Sequence, residues 1–270
     1  MGGGIDLVVT DLDGTLWDGR ERIHARTLRA LRTLEERGLP LLVATGRRLR
    51  SAAGTLARSG LTPPAVLLDG ALGRDLGTGR TFHEATFTPA DAQRVLAAFE
   101  AGGVSPCVYV DLPGVDVFVG EHPSTSARHL EWIGQGLARD DLSAVIDRER
   151  VFAFAIAGAQ EPALREVLTR VAPHASGTVA RDSVLGGASI TVRPRGVSKW
   201  DGVLAWCADQ HLDPDRVLAV GDGENDVELL TACAVACVVQ DAAPAALALA
   251  DHVIAPAAEG GWHEILDLCA

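Results

Sequence analysis

The sequence predicts an α/β protein: a doubly wound parallel sheet of Rossmann type that carries an inserted α+β domain. Apolar runs and helical patterns alternate through residues 5–71, and the same alternation returns in residues 216–268. This alternation is typical of βαβ units, in which helices cover a parallel sheet. The segment between the two regions has short strands that are adjacent in sequence, which favours an antiparallel sheet.

The first region has strands predicted at 5–10, 39–45 and 65–71, with helices at 24–37 and 48–59 between them. The last region repeats this order, with strands at 216–222, 234–239 and 251–255 and helices from Asn225, at 243–250 and at 260–268. Because both regions have the same pattern, we expect them to form one sheet in a core domain of residues 1–79 and 191–270.

The intervening residues 80–190 are predicted to form the inserted domain. Their pattern indicates helices at 87–103, near 123–138 and at 161–172, and strands at 107–111, 115–120, 151–158, 176–185 and 188–194. Helices placed between pairs of short strands predict an α+β arrangement.

Composition excludes several classes of protein. With 47% hydrophobic and 22% charged residues, the chain resembles ordinary globular proteins, and its apolar runs are shorter than the roughly 20 residues of a membrane span. The net charge of −12 argues against a nucleic-acid partner, because phosphate backbones attract clustered Lys and Arg. Five scattered cysteines and an N-terminus without a secretory signal pattern predict a cytoplasmic location.

Acidic side chains follow the first predicted strand. Asp11 and Asp13 are two residues apart, so in an extended segment both project to the same side. Close carboxylates repel each other unless a cation or a shared proton lies between them, and Mg²⁺ prefers carboxylates together with water and substrate phosphate. The alternative is ordinary turn chemistry, because Asp-x-Asp-Gly is common after strands.

A second acidic cluster follows the strand predicted at 216–222. It contains Asp222, Glu224, Asn225 and Asp226. One such residue is enough to cap the following helix, which is the alternative explanation, but four of them crowd together here. In a doubly wound sheet ligands bind at the carboxyl ends of the strands, so both clusters are expected at one edge.

Two further segments complete the candidate site. Thr45 and Gly46 follow the second strand, where a hydroxyl and backbone N–H groups at a helix start can bind an anion; an ordinary Thr N-cap is the alternative. Lys199 is the only lysine among 24 lysine and arginine residues, and it directly precedes an apolar helical pattern. In a chain that otherwise uses arginine, this position indicates a specific role.

In this order the motifs resemble those of the haloacid dehalogenase superfamily, in its Cof-type phosphatase branch. The matching segments are DLDGT (11–15), ATGR (44–47), SK (198–199) and GDGEND (221–226). The resemblance covers essentially the whole chain, since this branch carries an α/β cap between its second and third motifs. It implies a haloacid dehalogenase-like core for catalysis and a cap that sets substrate specificity.

The resemblance also implies the catalytic roles. Asp11 would attack phosphorus and form an aspartyl-phosphate, and Asp13 would protonate the leaving group and later take a proton from water. The ammonium of Lys199 would lie between Asp11 and the transferring phosphoryl group. A compact point charge suits that place better than a guanidinium fork.

A Mg²⁺ cofactor is implied as well. Its ligands would be Asp11, the backbone carbonyl of Asp13, Asp222 and Asp226, with Asp226 either a ligand or a support for the ligands. Substrate and phosphate binding is implied for Thr45, Gly46 and Asn225, whereas Arg47 either reaches the substrate or lies on the helix surface. Asp69 departs from the family pattern, because many relatives have Asn-Gly where this chain has Asp-Gly.

The expected function is a Mg²⁺-dependent phosphatase that hydrolyses a small phosphorylated metabolite, with sugar phosphates as the first expectation. One alternative is a phosphomutase or phosphotransferase of the same superfamily, which passes the phosphoryl group to an alcohol. Another is a phospho-acceptor signalling module, although such a module gives no reason for a large insertion. The sequence predicts no membrane partner and leaves the oligomeric state open.

Overall fold

The chain forms two compact units. A computed structural model describes residues 4–182 and 185–269. The first unit runs to His83 and resumes at Ser198, and the second is Glu84–Val197. Each unit contains a sheet and its own cluster of buried apolar side chains.

The strands, in chain order, are β1 (Leu7–Thr10), β2 (Leu41–Ala44), β3 (Pro64–Leu67), β4 (Leu72–Asp75), β5 (Thr81–Glu84), β6 (Cys107–Tyr109), β7 (Val117–Val119), β8 (Leu137–Arg139), β9 (Ala153–Ala159), β10 (Ala175–Arg181), β11 (Ala188–Pro194), β12 (Val217–Gly221), β13 (Val235–Val239) and β14 (His252–Ile254).

The α-helices are α1 (Ala25–Glu36), α2 (Leu49–Arg58), α3 (Pro89–Ala101), α4 (Ala127–Ile133), α5 (Leu142–Arg148), α6 (Glu161–Val171), α7 (Lys199–Gln210), α8 (Val227–Ala232) and α9 (Pro244–Leu247). Short 3-10 helices lie at Leu68–Gly70, Gly134–Gly136, Pro214–Arg216, Glu224–Asp226, Ala257–Glu259 and Gly261–Asp267.

The sheet of the first unit confirms the predicted fold class. Its order is β14-β13-β12-β1-β2-β3-β4-β5. The strands from β14 to β3 pair in parallel, and β4 returns antiparallel to β3. Successive strands from β1 extend the sheet on one side and those from β12 extend it on the other, so the order reverses between β1 and β12. This is the switch point at which doubly wound sheets bind ligands.

The amphipathic pattern explains how the first helix packs. In α1 the buried residues are Thr27, Ala30, Leu31 and Leu34, a spacing of three to four residues that defines one helix face. His24 precedes the helix, and its side chain accepts a hydrogen bond from the Arg26 backbone N–H. In contrast, all four residues of β1 are buried, as expected for a central strand covered on both faces.

The second unit contains a six-stranded sheet in the order β10-β11-β9-β6-β7-β8. Its pairs are antiparallel apart from β7 with β8, which is parallel. Buried side chains from α3, α5 and α6 join those of the strands in one apolar cluster. The α+β character predicted for this segment is therefore present.

The boundaries of the two units lie later in the chain than residues 79 and 190. Strand β5, which has exposed or half-buried side chains, continues the first sheet to Glu84. Strand β11 pairs with β9 and β10 and so belongs entirely to the second sheet.

Neither β4 nor β5 was predicted, because a short hairpin at a sheet edge carries no long apolar run. The predicted last helix at 260–268 is 3-10 rather than α-helical over Gly261–Asp267.

Within residues 4–182 and 185–269, no helix combines the length and the hydropathy that a membrane span requires.

Candidate active site

The carboxyl ends of three neighbouring strands meet at one edge of the first sheet. Thr10 of β1 is aligned with Val220 of β12 on one side and with Val43 of β2 on the other. The residues that follow these strands, Asp11 and Asp222 among them, are therefore brought together by strand register.

Lys199 lies at the centre of this edge and is completely buried. Its Nζ atom donates to Oδ1 of Asp11 and to Oδ1 of Asp226, at 2.7 Å in each case. The side chains of Lys199 and Asp226 have no exposed surface, and that of Asp11 is 7% exposed. Three residues that are far apart in sequence thus form one buried ion cluster.

The start of α7 fixes the position of this lysine. Ser198 caps the helix: its backbone N–H and its hydroxyl both donate to Asp201 Oδ2, at 2.8 and 2.6 Å. Gly70 packs against the same turn, where an added Cβ would lie 1.9 Å from the Ser198 carbonyl oxygen. Because Gly70 also has φ of 109°, only glycine fits between the third strand and the lysine.

The loop after β12 is organised by Asp226. Oδ2 of Asp226 accepts from the backbone N–H groups of Asp222 and Gly223 at 3.0 and 2.9 Å, while its Oδ1 accepts from Lys199. Asp222 in turn accepts from the Thr15 hydroxyl at 2.7 Å, which ties this loop to the turn after β1. Both carboxylate oxygens of Asp226 are thus engaged in holding the site.

Burial and the close approach of like charges shift the pKa values of the residues in this cluster. Burial raises the pKa of the Asp11 carboxyl well above its usual range, although Lys199 opposes the shift. Burial and the neighbouring Asp226 raise the pKa of Asp222 to about 7. Burial alone would lower the pKa of Lys199, but Asp11 and Asp226 outweigh it and raise that pKa. Burial and the mutual repulsion of the carboxylates thus raise the carboxyl pKa values, while the attraction of the same carboxylates for the ammonium raises that of Lys199.

A divalent cation fits this donor set. Oxygen atoms of Asp11, Asp222 and Asp226 lie within 4.8 Å of one another. Carboxylate oxygens are the ligands that Mg²⁺ prefers. With all three carboxylates ionised and Lys199 protonated, one divalent cation would balance the excess negative charge. The structure therefore brings together the side chains of three of the four residues predicted to hold the metal, whereas Asp13 was predicted to bind through its backbone carbonyl.

Asp13 has different partners from Asp11. Arg47 approaches it as a fork, with Nε donating to Oδ2 at 2.6 Å and Nη2 donating to Oδ1 at 2.5 Å. The indole N–H of Trp17 donates to Oδ1 at 3.0 Å, and the Arg47 guanidinium lies 4.9 Å from the Trp17 ring centre. The remaining arm of Arg47 contacts Glu21. Arg47 is thus neither a free surface residue nor directed only towards a substrate.

The expectation that Thr45 and Gly46 open a helix is wrong. Helix α2 begins at Leu49 with Arg48 as its N-cap, and the Thr45 hydroxyl accepts from the Arg47 backbone N–H at 3.2 Å. The two residues therefore form a turn before the helix. Thr45 is almost fully buried at the same strand edge as Asp11.

Asn225 is hydrogen-bonded to Asp69, the residue that was expected to differ from the family pattern. Its Nδ2 donates to Asp69 Oδ1 at 2.8 Å. Asp69 is buried, and together with Leu68 it adopts positive φ, near 50° for both residues. Two successive non-glycine residues in this region are strained, at about 1 kcal/mol each or more. The loop after β3 thus places a further carboxylate beside the cluster.

Sequence reasoning missed the side chains that hold the predicted ones. Thr15 is part of the DLDGT motif, so the sequence indicated that it belongs to the site. Trp17 lies four residues after Asp13, and the sequence indicated its role only weakly. Nothing in the sequence indicated Glu21, because a glutamate with φ of 57° in a loop cannot be recognised from composition.

Residues 8–266 match the family described as haloacid dehalogenase-like hydrolase. A phosphoglycolate phosphatase of Methanoculleus marisnigri is 26% identical over 92% of this chain and 90% of its own length. An endoribonuclease, the chloroplastic YBEY protein of Arabidopsis thaliana, is 24% identical over 91% of this chain, which spans only 43% of that protein.

A solved structure described as a haloacid dehalogenase subclass IIB sugar phosphatase superposes with a TM-score of 0.78. It is 21% identical and the match covers 97% of this chain and 98% of that one. At this identity the superposition shows a shared fold. The family match, which spans most of the sequence, confirms the resemblance and the enzyme class predicted from it, a hydrolase of phosphatase type. The chain therefore belongs to the haloacid dehalogenase-like hydrolase family.

Proposed function

We propose that this protein is a Mg²⁺-dependent phosphatase that hydrolyses a small phosphorylated metabolite through an aspartyl-phosphate. The observation that carries the proposal is the buried ammonium of Lys199, bonded to Asp11 and Asp226 with Asp222 within metal-ligand distance. A buried carboxylate at the switch point, flanked by a fixed positive charge, is suited to attack an anionic ester.

In the first step an Asp11 carboxylate oxygen forms a bond to phosphorus, and the bond from phosphorus to the leaving oxygen breaks. The Asp13 carboxyl donates its proton to the departing oxygen. In the second step water attacks the aspartyl-phosphate, Asp13 takes a proton from that water, and inorganic phosphate leaves with Asp11 restored. Thr45 and the Gly46 N–H would bind phosphoryl oxygens.

Asp11, Asp222 and the Asp13 carbonyl would hold Mg²⁺, which neutralises charge between the nucleophile and the ester when it is bound. We assign Asp226 a supporting role, because its two oxygens already bind Lys199 and the backbone of the loop. Its loss would therefore disturb the lysine and Asp222 together.

Sugar phosphates are the substrate class that we propose first, with phosphoglycolate as a second test compound. One relative is a phosphoglycolate phosphatase, and a protein of the same fold is a sugar phosphatase. We propose that the second unit, Glu84–Val197, selects the substrate and that the first carries out the chemistry. The cytoplasmic location predicted from the sequence stays a prediction.

The test is release of inorganic phosphate from p-nitrophenyl phosphate, hexose phosphates and phosphoglycolate, with Mg²⁺ and with excess EDTA. We expect Mg²⁺-dependent turnover that Asp11→Asn abolishes, since an amide cannot act as the nucleophile. Asp18→Asn, a nearby carboxylate paired with Arg22, serves as the matched control and should retain activity. Absence of turnover in the unmodified protein, or undiminished activity in Asp11→Asn, would contradict the proposal.

A further inference from the structure

Glu21 belongs to the segment between β1 and α1, and no motif of the sequence includes it. Its Oε1 accepts from Nη1 of Arg47 at 2.6 Å. Its Oε2 accepts from the Thr55 hydroxyl and from Nη2 of Arg58, both at 2.9 Å. Both carboxylate oxygens are therefore engaged, one by the arginine beside Asp13 and the other by helix α2.

The backbone at Glu21 is strained. Its φ of 57° lies in the left-handed region, which non-glycine residues rarely adopt because Cβ then crowds the following carbonyl oxygen. Such strain persists where surrounding contacts fix it, and an observed outlier is a reason to look for a function. Here the contacts that fix it are the bonds to Arg47, Thr55 and Arg58.

Arg47 contacts both Glu21 and Asp13, so the position of Glu21 affects the orientation of Asp13. The guanidinium is planar and rigid, so fixing one arm on Glu21 fixes the direction of the edge that faces Asp13. Asp13 is half exposed, with 52% of its side chain accessible, and it lacks the packing that holds Asp11. Its orientation therefore depends on Arg47 and on the Trp17 indole N–H.

We propose that Glu21 is a positioning residue, which holds Arg47 so that the Asp13 carboxyl keeps the orientation needed for proton transfer. The proposal rests on the proposed function, in which Asp13 is the acid and base. Glu21 acts through Arg47 and does not contact the reacting atoms. Its loss should lower kcat, because misplacing a catalytic group by about 1 Å can reduce the rate as much as a hundredfold.

A double-mutant cycle separates this role from a general effect on stability. We expect Glu21→Gln to lower kcat about tenfold and to change KM less than about twofold. Gln keeps the length of the side chain but replaces one acceptor oxygen with a donor. Arg47→Met should have an equal or larger effect, and the double variant should be no slower than Arg47→Met alone.

Asp18→Asn is the matched control. Asp18 lies in the same segment and accepts from the backbone N–H groups of Arg20 and Arg22 and from the Arg22 side chain. Its removal weakens the loop without touching Arg47, so kcat should stay near that of the unmodified protein. Thermal unfolding of all variants corrects for any loss of folded protein.

The indole N–H resonance of Trp17, assigned by triple-resonance NMR of the full chain, gives a readout that needs no turnover. It should move in Glu21→Gln, because this N–H donates to Asp13, and it should stay in place in Asp18→Asn. The proposal would be overturned if the rate losses of the two single variants multiplied in the double variant. A rise in KM at constant kcat in Glu21→Gln, or a Trp17 resonance that does not move, would also overturn it. If the unmodified protein hydrolyses no phosphate ester, the proposed function fails and the resonance alone decides whether Glu21 controls Asp13.

Discussion

Asp11 and Asp13 are two residues apart at the end of one strand, yet their surroundings are opposite. Asp11 is buried and bonded to the ammonium of Lys199, which it shares with Asp226. Asp13 is half exposed and bonded to the guanidinium fork of Arg47. We name the first group the lysine cluster (Lys199, Asp11, Asp222, Asp226) and the second the arginine cluster (Arg47, Asp13, Glu21, Trp17).

The difference shows why this chain uses its single lysine where it does. The ammonium is a compact charge that two carboxylates can approach from different directions, as Asp11 and Asp226 do. The guanidinium is flat and fixes one carboxylate in its plane, as it fixes Asp13. The lysine cluster thus supplies charge where water is excluded, and the arginine cluster supplies orientation where water is present.

The largest effect is expected from Lys199→Met. Removing the ammonium leaves Asp11 and Asp226 buried without their partner, so the free energy of unfolding should fall by about 3–5 kcal/mol. Turnover should disappear as well. Urea unfolding followed by circular dichroism at neutral pH measures the loss in stability.

Lys199→Arg is the companion variant, because it keeps the charge and changes its shape. We expect the fold to survive and most turnover to be lost, since a fork cannot replace a point charge between two carboxylates. Near-normal turnover in Lys199→Arg would show that the mechanism does not require the compact shape of the lysine ammonium. A loss of less than about 1 kcal/mol in Lys199→Met would contradict the buried ion cluster.

A smaller, pH-dependent effect is expected from Asp222→Asn. The pKa of Asp222 is raised to about 7 in the folded protein, whereas an unfolded aspartate has a pKa of about 4. Between these values the folded state holds a proton that the unfolded chain has lost, so this carboxyl reduces stability as the pH rises. In EDTA, Asp222→Asn should gain stability relative to the unmodified protein from pH 4 to 7, with no further gain above that.

Urea unfolding at a series of pH values measures this difference, and parallel curves for the two proteins would contradict it.

Adding Mg²⁺ is expected to reverse the effect of the Asp222 charge on stability. At pH 7.5 added Mg²⁺ should raise the melting temperature of the unmodified protein, because an ion that binds only the folded state stabilises it. In Asp222→Asn the same concentration should have little effect, since one ligand and one charge are missing.

For the arginine cluster we expect a loss of activity without the loss of stability that is expected for the lysine cluster. Arg47→Met should lower kcat about tenfold or more, because Asp13 loses its orientation. Stability should change by less than about 1 kcal/mol, since partly exposed ion pairs contribute little. Steady-state kinetics and urea unfolding of the same preparation measure both quantities. A stability loss equal to that of Lys199→Met would erase the distinction between the clusters.

The sequence predicted the fold class because βαβ periodicity is strong in buried parallel strands. It also indicated the strand ends that meet at the site, since register places the residues after β1 and β12 together. It did not predict β4 and β5, whose side chains at the sheet edge are mixed in polarity. The Thr45-Gly46 pair was placed at a helix start because sequence alone cannot separate a turn from an N-cap.

The residues of the lysine cluster could be predicted from the sequence for a physical reason. Its members follow buried strands or open a helix, so their positions are set by regular structure. The arginine cluster depends on a loop, on the strained backbone of Glu21 and on a guanidinium whose partners are settled only by packing. Side chains of this kind are oriented by tertiary contacts that no local pattern records.

The smallest effect is expected from Asp69→Asn, which tests how far the charge of the lysine cluster extends. Asn tolerates the left-handed backbone of this position, and its amide oxygen can still accept from Asn225, so stability should change little. Removing a negative charge near Lys199 should favour an anionic substrate and lower KM about threefold at low salt, with kcat nearly constant. Kinetics at two ionic strengths measure this, because screening should shrink the difference. A higher KM in Asp69→Asn would instead mean that this carboxylate accepts a hydrogen bond from the substrate, and the buried charge would then contribute to specificity rather than to repulsion.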